Sequence, residues 1–301
     1  MGDWEQNLNS PFFRLSVWRR SCFSSPQSLP YEGNRTELPQ SPSMESKSKG
    51  PSARHKEKKL KRKEVLEKKK AVDELVRAAS SETDHLASFQ AFRHYNRNGV
   101  SVCLDSGRGD RLSSSVKQYV CNLVKANMEG PFGAEWPAEE KVKRREMVAP
   151  EARYIFVHDV ASAGADGMPS AVEAKGEVVE SVSEIMSIVG FVHFRFLVEE
   201  EIPVLYVYEI QLEPRVQGKG LGKFLMQLIE LIARKNRMGA VVLTVQKTNL
   251  SAMKFYTSKL RYIISSISPS RVNPLLGSEA SYEIICKAFE AEAKAVLEEG
   301  D

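Results

Sequence analysis

A chain of 301 residues, 42% apolar and 27% charged, can bury a sizeable core in one or two domains and is too mixed in composition for a fibrous or wholly disordered protein. No apolar run approaches the ~20 residues of a membrane helix, and Cys22, Cys103, Cys121 and Cys286 form neither a CxxC pair nor a cluster with histidine, which excludes a zinc ribbon or a disulfide scaffold and leaves reduced thiols. The formal charge of +4 is unevenly spread: Lys47 to Lys70 holds twelve Lys/Arg against three Glu, a local +9, so the remainder carries about −5 and suits a basic substrate.

In chain order, residues 1–50 are rich in Ser, Pro, Asn and Gly without a sustained period and read as a disordered extension. Residues 51–79 follow as a basic helical arm, in which Leu60, Val65, Leu66, Val72, Leu75 and Val76 trace a loose helical stripe. Such a run is a solvated charged helix, a nuclear-import signal, or an arm that finds phosphate on a nucleosome, a ribosome or a nucleic acid. The turn Asn96 to Gly99 leads into a short strand, Val100–Leu104, and Ser114–Met128 is an amphipathic helix. Glu129–Trp136 reads as a loop exposing two aromatics, Phe132 and Trp136, and Pro137–Met147 as a second, charged helix.

From Ala152 the pattern turns to strands: Arg153–Val157, then Ile188–Phe196, with 161–183 between them as a long hairpin insertion. The acidic trio Glu199, Glu200 and Glu201 turns the chain into the apolar run from Val204 to Leu212. A glycine loop and the helix Phe224–Ala233 follow, then a strand (Gly239–Val245), a helix (Asn249–Leu260, capped by Asn249 or Thr248) and strands at Tyr262–Ile267 and Tyr282–Cys286. Lys287–Leu297 reads as a frayed charged helix, so the domain spans 80–290 and 291–301 is a charged tail. One mixed α/β domain accounts for this order.

The stretch from Val204 to Lys223 carries the chemistry. A buried strand, three glycines in five positions (Gly218, Gly220, Gly222) and a helix place unpaired N–H groups and the positive helix end at one point, a site for phosphate or pyrophosphate. A Walker loop is excluded by spacing and by the missing hydroxyl after Lys223, and a dinucleotide fingerprint by the G-x-G-x-G spacing without a preceding βαβ unit. The pattern that fits is Gln217-x-x-Gly220-x-Gly222 after a strand ending in Leu212-Glu213-Pro214.

With Asn249 after the next strand and the helix Ala252 to Leu260 containing Tyr256, these residues resemble the GCN5-related N-acetyltransferases (GNAT) from about Ile155 to Ile285. The resemblance implies an α+β mixed-sheet acetyltransferase fold with N-terminal helical additions, acetyl-CoA as co-substrate and no metal. It places the coenzyme pyrophosphate on Gln217, Gly218, Lys219, Gly220, Leu221, Gly222 and Lys223, pantetheine along Ile210, Gln211 and Leu212, and a further coenzyme contact at Asn249. Tyr256 takes the role of proton donor to the leaving thiolate.

A closer resemblance runs from about residue 44 to 287. Ala91 to Gly99, Phe191 to Phe196, Tyr206 to Glu213, Lys219 to Leu225 and Ser281 to Glu283 are similar to the histone-specific N-terminal α-acetyltransferases of the NatD type. This implies acetylation of the α-amine of histones 4 and 2A, which begin Ser-Gly-Arg-Gly, in nucleus and cytoplasm. Glu209 becomes the base, acting through a water. Tyr206 and Tyr208 line the peptide site, with Phe132, Val198, Glu199, Thr244 and Tyr282 as further substrate contacts. Leu197 stands where that group carries an acid, which shifts capture of the substrate arginine to Glu199 or Glu200. In an ideal strand Tyr206 and Tyr208 point one way and Glu209 the other, so a local bulge is needed to unite them. Other readings are a lysine or small-amine acetyltransferase of the same fold and a non-catalytic chromatin- or CoA-binding module.

Overall fold

The computed structural model describes residues 51–160, 188–277 and 279–300; the extension at 1–50 and the insertion at 161–183 lie outside them. The strands are β1 (His94–Arg97), β2 (Val100–Arg108), β3 (Arg153–Asp159), β4 (Ile188–Glu199), β5 (Ile202–Leu212), β6 (Ala240–Gln246), β7 (Ile263–Ile264) and β8 (Tyr282–Ala288). They form one sheet in the order β1-β2-β3-β4-β5-β6-β8-β7, in which β5 and β6 alone among neighbours run parallel. That parallel pair needs a crossover, and the glycine loop with the helix Leu221–Lys235 supplies it. The sheet is the mixed α/β architecture expected from the element order.

The helices are α1 (Pro51–Ser81), α2 (Ser114–Phe132), α3 (Trp136–Met147), α4 (Leu221–Lys235) and α5 (Leu250–Lys254), the last continuing as a π-helical turn over Phe255–Lys259. The larger core joins one sheet face to α4, whose Leu221, Leu225, Met226, Leu228, Ile229 and Ile232 are all buried. A second core joins the opposite face to α2 and α3 through Val116, Val120, Val124, Trp136 and Met147.

The chain separates into two units, Met1–Lys68 and Lys69–Asp301. In the first, the described residues 55–68 are solvent-exposed along the helix, Leu60, Val65 and Leu66 included, so the apolar stripe expected there buries nothing. In the second, Leu75, Val76 and Ala79 pack into the larger core, and the Arg153 guanidinium donates to the carbonyls of Ser80, Pro150 and Ala152.

Three expectations are corrected. Phe132 and Trp136 are not exposed on a loop: α2 runs on through Pro131, a short turn follows, and the two rings meet at 5.9 Å within the second core. Proline has no N–H, so this turn forgoes the bond to the Asn127 carbonyl, and the helix ends one residue later at Phe132. The C-terminal segment is docked, not frayed: Leu297 is fully buried and its carbonyl accepts from the Ser266 N–H and the Ser265 hydroxyl. The turn at Asn98 and Gly99, both with positive φ, closes a hairpin between β1 and β2, so β2 runs to Arg108.

Candidate active site

The site begins with a register shift. Along β4 and β5, His193 lies opposite Glu209, yet the next residue, Phe194, lies opposite Val207. Tyr208 is therefore the extra residue of a bulge. Its effect is visible in the partners: Val207 joins the α4-side core, whereas Tyr206, Tyr208, Glu209 and Gln211 all meet groups on the α2–α3 side. The two tyrosine rings are 5.4 Å apart, and Tyr206 shares a 2.5 Å hydrogen bond with Thr244 on β6.

Glu209 is 6% exposed and held from two directions. Lys143 of α3 places its ammonium 2.7 Å from Oε1, and the Gln211 side-chain amide donates to Oε2 at 2.8 Å. Asn127 of α2 in turn donates to the Gln211 side-chain oxygen at 2.8 Å. Burial disfavours the charge on Lys143, but the carboxylates of Glu209 and Glu146 outweigh it and hold the lysine above its ordinary value. Burial pushes Tyr208 up to about 12, against the opposing pull of Arg195, whose guanidinium stacks 4.4 Å from the ring centroid. His193 sits between Tyr154 and Tyr208, with ring separations of 5.1 and 4.8 Å; burial, Arg195 and Lys143 keep it well below the usual histidine value, so it is neutral. The site is a set of aromatic rings around the Glu209–Lys143 pair.

Beside it the sheet opens. β5 and β6 pair from Val204 with Ala240 to Val207 with Leu243, and beyond that β5 has only β4 as a neighbour. The Glu213 N–H donates to Val189 O, so by alternation Gln211 also faces β4, while Ile210 and Leu212 turn their backbone groups into the gap. Tyr256, on the π-helical turn, is buried on the far side. Burial, with added repulsion from Glu209, pushes its phenol well above the usual tyrosine value, so it keeps its proton. The gap lets groups from opposite faces of the sheet act on one point.

The gap leads to the glycine loop. Gly218 and Gly220 have φ of +71° and +89°, and Gly220 is the N-cap of α4 with no side-chain cap bond. An absent cap leaves the first-turn N–H groups to an anion. Tyr95 and Asn98 from the β1–β2 hairpin donate to Lys219 O at 2.6 and 2.9 Å, which turns that carbonyl away from the cradle.

Residues 132–261 match the family model of the acetyltransferase (GNAT) family. This segment is a GNAT acetyltransferase domain. Acetyl-CoA is its co-substrate, and the glycine turn, uncapped helix and open strand edge suit a coenzyme pyrophosphate and its pantetheine arm. Among solved structures the chain is similar to PaiA N-acetyltransferase from Thermoplasma acidophilum in complex with coenzyme A, at 14% identity and TM-score 0.38 over 62% of this chain and 99% of that one. It is also similar to Arabidopsis thaliana Naa50 in complex with the bisubstrate analogue CoA-Ac-MVNAL, at 18% identity and TM-score 0.38 over 63% of this chain and 100% of that one.

Within the GNAT domain most of the expected site residues converge, with qualifications. Leu221 offers only its N–H, because its side chain is buried; Lys223 is exposed on the first turn. Gln217 folds its amide back onto Leu212 O at 2.8 Å, and Asn249 caps α5 by accepting from the Ala252 N–H. Phe132 ends α2 where the Pro131 carbonyl accepts from Thr248, close to Asn249. Tyr282 lies opposite Gln246 and acts electrostatically on Tyr206; Glu199 acts on both Tyr206 and Tyr208. Val198 is the exception: alternation along β4 puts it on the side of Phe194 and Phe196, away from the two tyrosines. Lys143, Asn127 and His193 were not singled out from the sequence. The available signal was Glu139, Lys143 and Glu146 at i, i+4 and i+7, one charged helix face. Among the described residues no group of His, Cys, Asp and Glu could hold a metal ion.

Proposed function

We propose that this GNAT domain acetylates the α-amine of protein N-termini beginning Ser-Gly-Arg-Gly, as in histones 4 and 2A. The observation that carries the reading is the bulge at Tyr208, which brings Glu209 to the same face as Tyr206 and Tyr208 beside the opening between β5 and β6. A free α-amine has a pKa of about 7.7–8.0 and is mostly protonated near neutrality, so a positioned carboxylate assists its attack. Glu209 accepts the amine proton through a water as the new C–N bond forms at the thioester carbonyl. The Leu212 N–H, turned into the gap, meets the charge that develops on the carbonyl oxygen. Tyr256 gives its proton to the departing thiolate and is reprotonated from solvent, to which Glu209 releases the proton it took from the amine. Glu199 provides the negative charge for the substrate arginine in place of Leu197, and the histone assignment itself rests on the sequence blocks described above. Nucleus and cytoplasm follow from that substrate, and the exposed arm with Lys58, Lys61 and Arg62 is assigned to nucleosomal, ribosomal or nucleic-acid phosphate.

Incubation with labelled acetyl-CoA and lysine-containing peptides that begin Ser-Gly-Arg-Gly, free or pre-blocked at the α-amine, tests the reading. Label is expected on the free peptide only; equal labelling of both would make the enzyme a lysine acetyltransferase, and no labelling of either would leave a binding module. Tyr256→Phe preserves the ring that packs 6.0 Å from Tyr262 and removes the proton. It is expected to lower kcat by about 10- to 100-fold with little change in KM for acetyl-CoA; a parental kcat would take Tyr256 out of the mechanism.

A further inference from the structure

α3 is short and rich in charge, yet its charges at Glu139, Lys143 and Glu146 face inward: Glu139 is 4% exposed and the Lys143 side chain 11%. A buried ammonium is unfavourable unless paired and hydrogen-bonded, and the partner that the fold provides is Glu209 at 2.7 Å, with Glu146 further off at 3.7 Å. The remaining carboxylate oxygen of Glu209 is taken by Gln211, and Gln211 by Asn127. Both helices over this face thus end on one carboxylate. We propose that Lys143 is a positioning residue that pairs with the Glu209 carboxylate and aims it at the gap between β5 and β6. This rests on the reading of Glu209 as the base. Beside Glu209, Tyr208 packs against the neutral His193, which stacks on Tyr154, so these neighbours bring no charge. Arg195 is engaged over Tyr208 and donates to Glu146 O, and Glu139 and Glu146 are of the wrong sign. Lys143 supplies the missing charge.

The test measures acetyl transfer by the full chain to a free-amine Ser-Gly-Arg-Gly peptide across pH. Lys143→Met is expected to lower kcat near neutrality about tenfold or more, with KM for acetyl-CoA close to parental. The acidic limb of its kcat/KM profile should move to higher pH, because an unpaired buried carboxylate takes up a proton more readily. Lys143→Arg is expected to hold the limb near the parental position. Should Lys143→Met not fold, Lys143→Gln, which keeps a donor toward Glu209 without the charge, carries the same expectation. A superimposable pH profile for the neutral variant, with Glu209→Gln strongly impaired at neutral pH, would overturn the role of Lys143 alone. A parental rate for Glu209→Gln would overturn the assignment of the base, and the role of Lys143 with it.

Discussion

Glu209→Gln is expected to reduce kcat at neutral pH by about 10²-fold or more, the usual contribution of a positioned general base. The loss should shrink as pH rises. Without a carboxylate to receive the proton, attack depends on amine that is already neutral, and that fraction grows through the amine's own ionisation. The glutamine keeps the shape and one acceptor for Lys143, while Glu146 and Glu139 still surround the ammonium, so the fold should survive. KM for acetyl-CoA is expected to stay within about twofold, since Glu209 lies apart from the glycine loop proposed for the pyrophosphate. Steady-state kinetics on a Ser-Gly-Arg-Gly peptide over a pH series decides it. A variant that is equally impaired at every pH would show that Glu209 shapes the site without taking the proton.

The strand, glycine loop and helix from Ile202 to Lys235 were legible because the chemistry there is local. An apolar strand, glycines with positive φ and an amphipathic helix each leave a mark within a few residues. The bulge at Tyr208 was not, because a register shift is a relation between β4 and β5 and neither strand's alternation records it. The sequence could state only that a bulge was required. Lys143 was hidden for a related reason: a charged helix face reads as solvated until the element beneath it is known, and here that element presents Glu209. Phe132 and Trp136 were misplaced because Gly130 and Pro131 are turn residues in most settings, yet α2 absorbs them in its last turn. Ser106 to Gly109, a copy of the proposed substrate tetrapeptide, begins within β2, where the Ser106 hydroxyl donates to Asp84 and any Cβ at Gly109 would come within 2.6 Å of Met147 O. Its residues serve the fold and offer no α-amine.

The coenzyme cradle gives the other large effect. Gly220→Ala places a side chain at φ +89°, which costs roughly 1–2 kcal/mol for an L-residue, and its Cβ would lie 2.9 Å from the Tyr95 hydroxyl. That hydroxyl is the one donating to Lys219 O, so the substitution both strains the helix cap and pushes away the group that orients the loop. The N–H groups at the start of α4 lose their common aim, and KM for acetyl-CoA should rise about tenfold or more while kcat at saturation falls less. Tyr95→Phe removes the hydroxyl without adding bulk, and should raise the same KM only several-fold, in keeping with one lost hydrogen bond of about 1 kcal/mol. The two effects share an atom, so they should not add. Phenylalanine at 95 vacates the space that the alanine Cβ enters, and the double variant is expected to bind acetyl-CoA better than the product of the single effects predicts. Titration of acetyl-CoA against the four proteins measures this. Strict additivity would mean that Tyr95 and Gly220 act on the coenzyme separately, and that the β1–β2 hairpin does not shape the cradle.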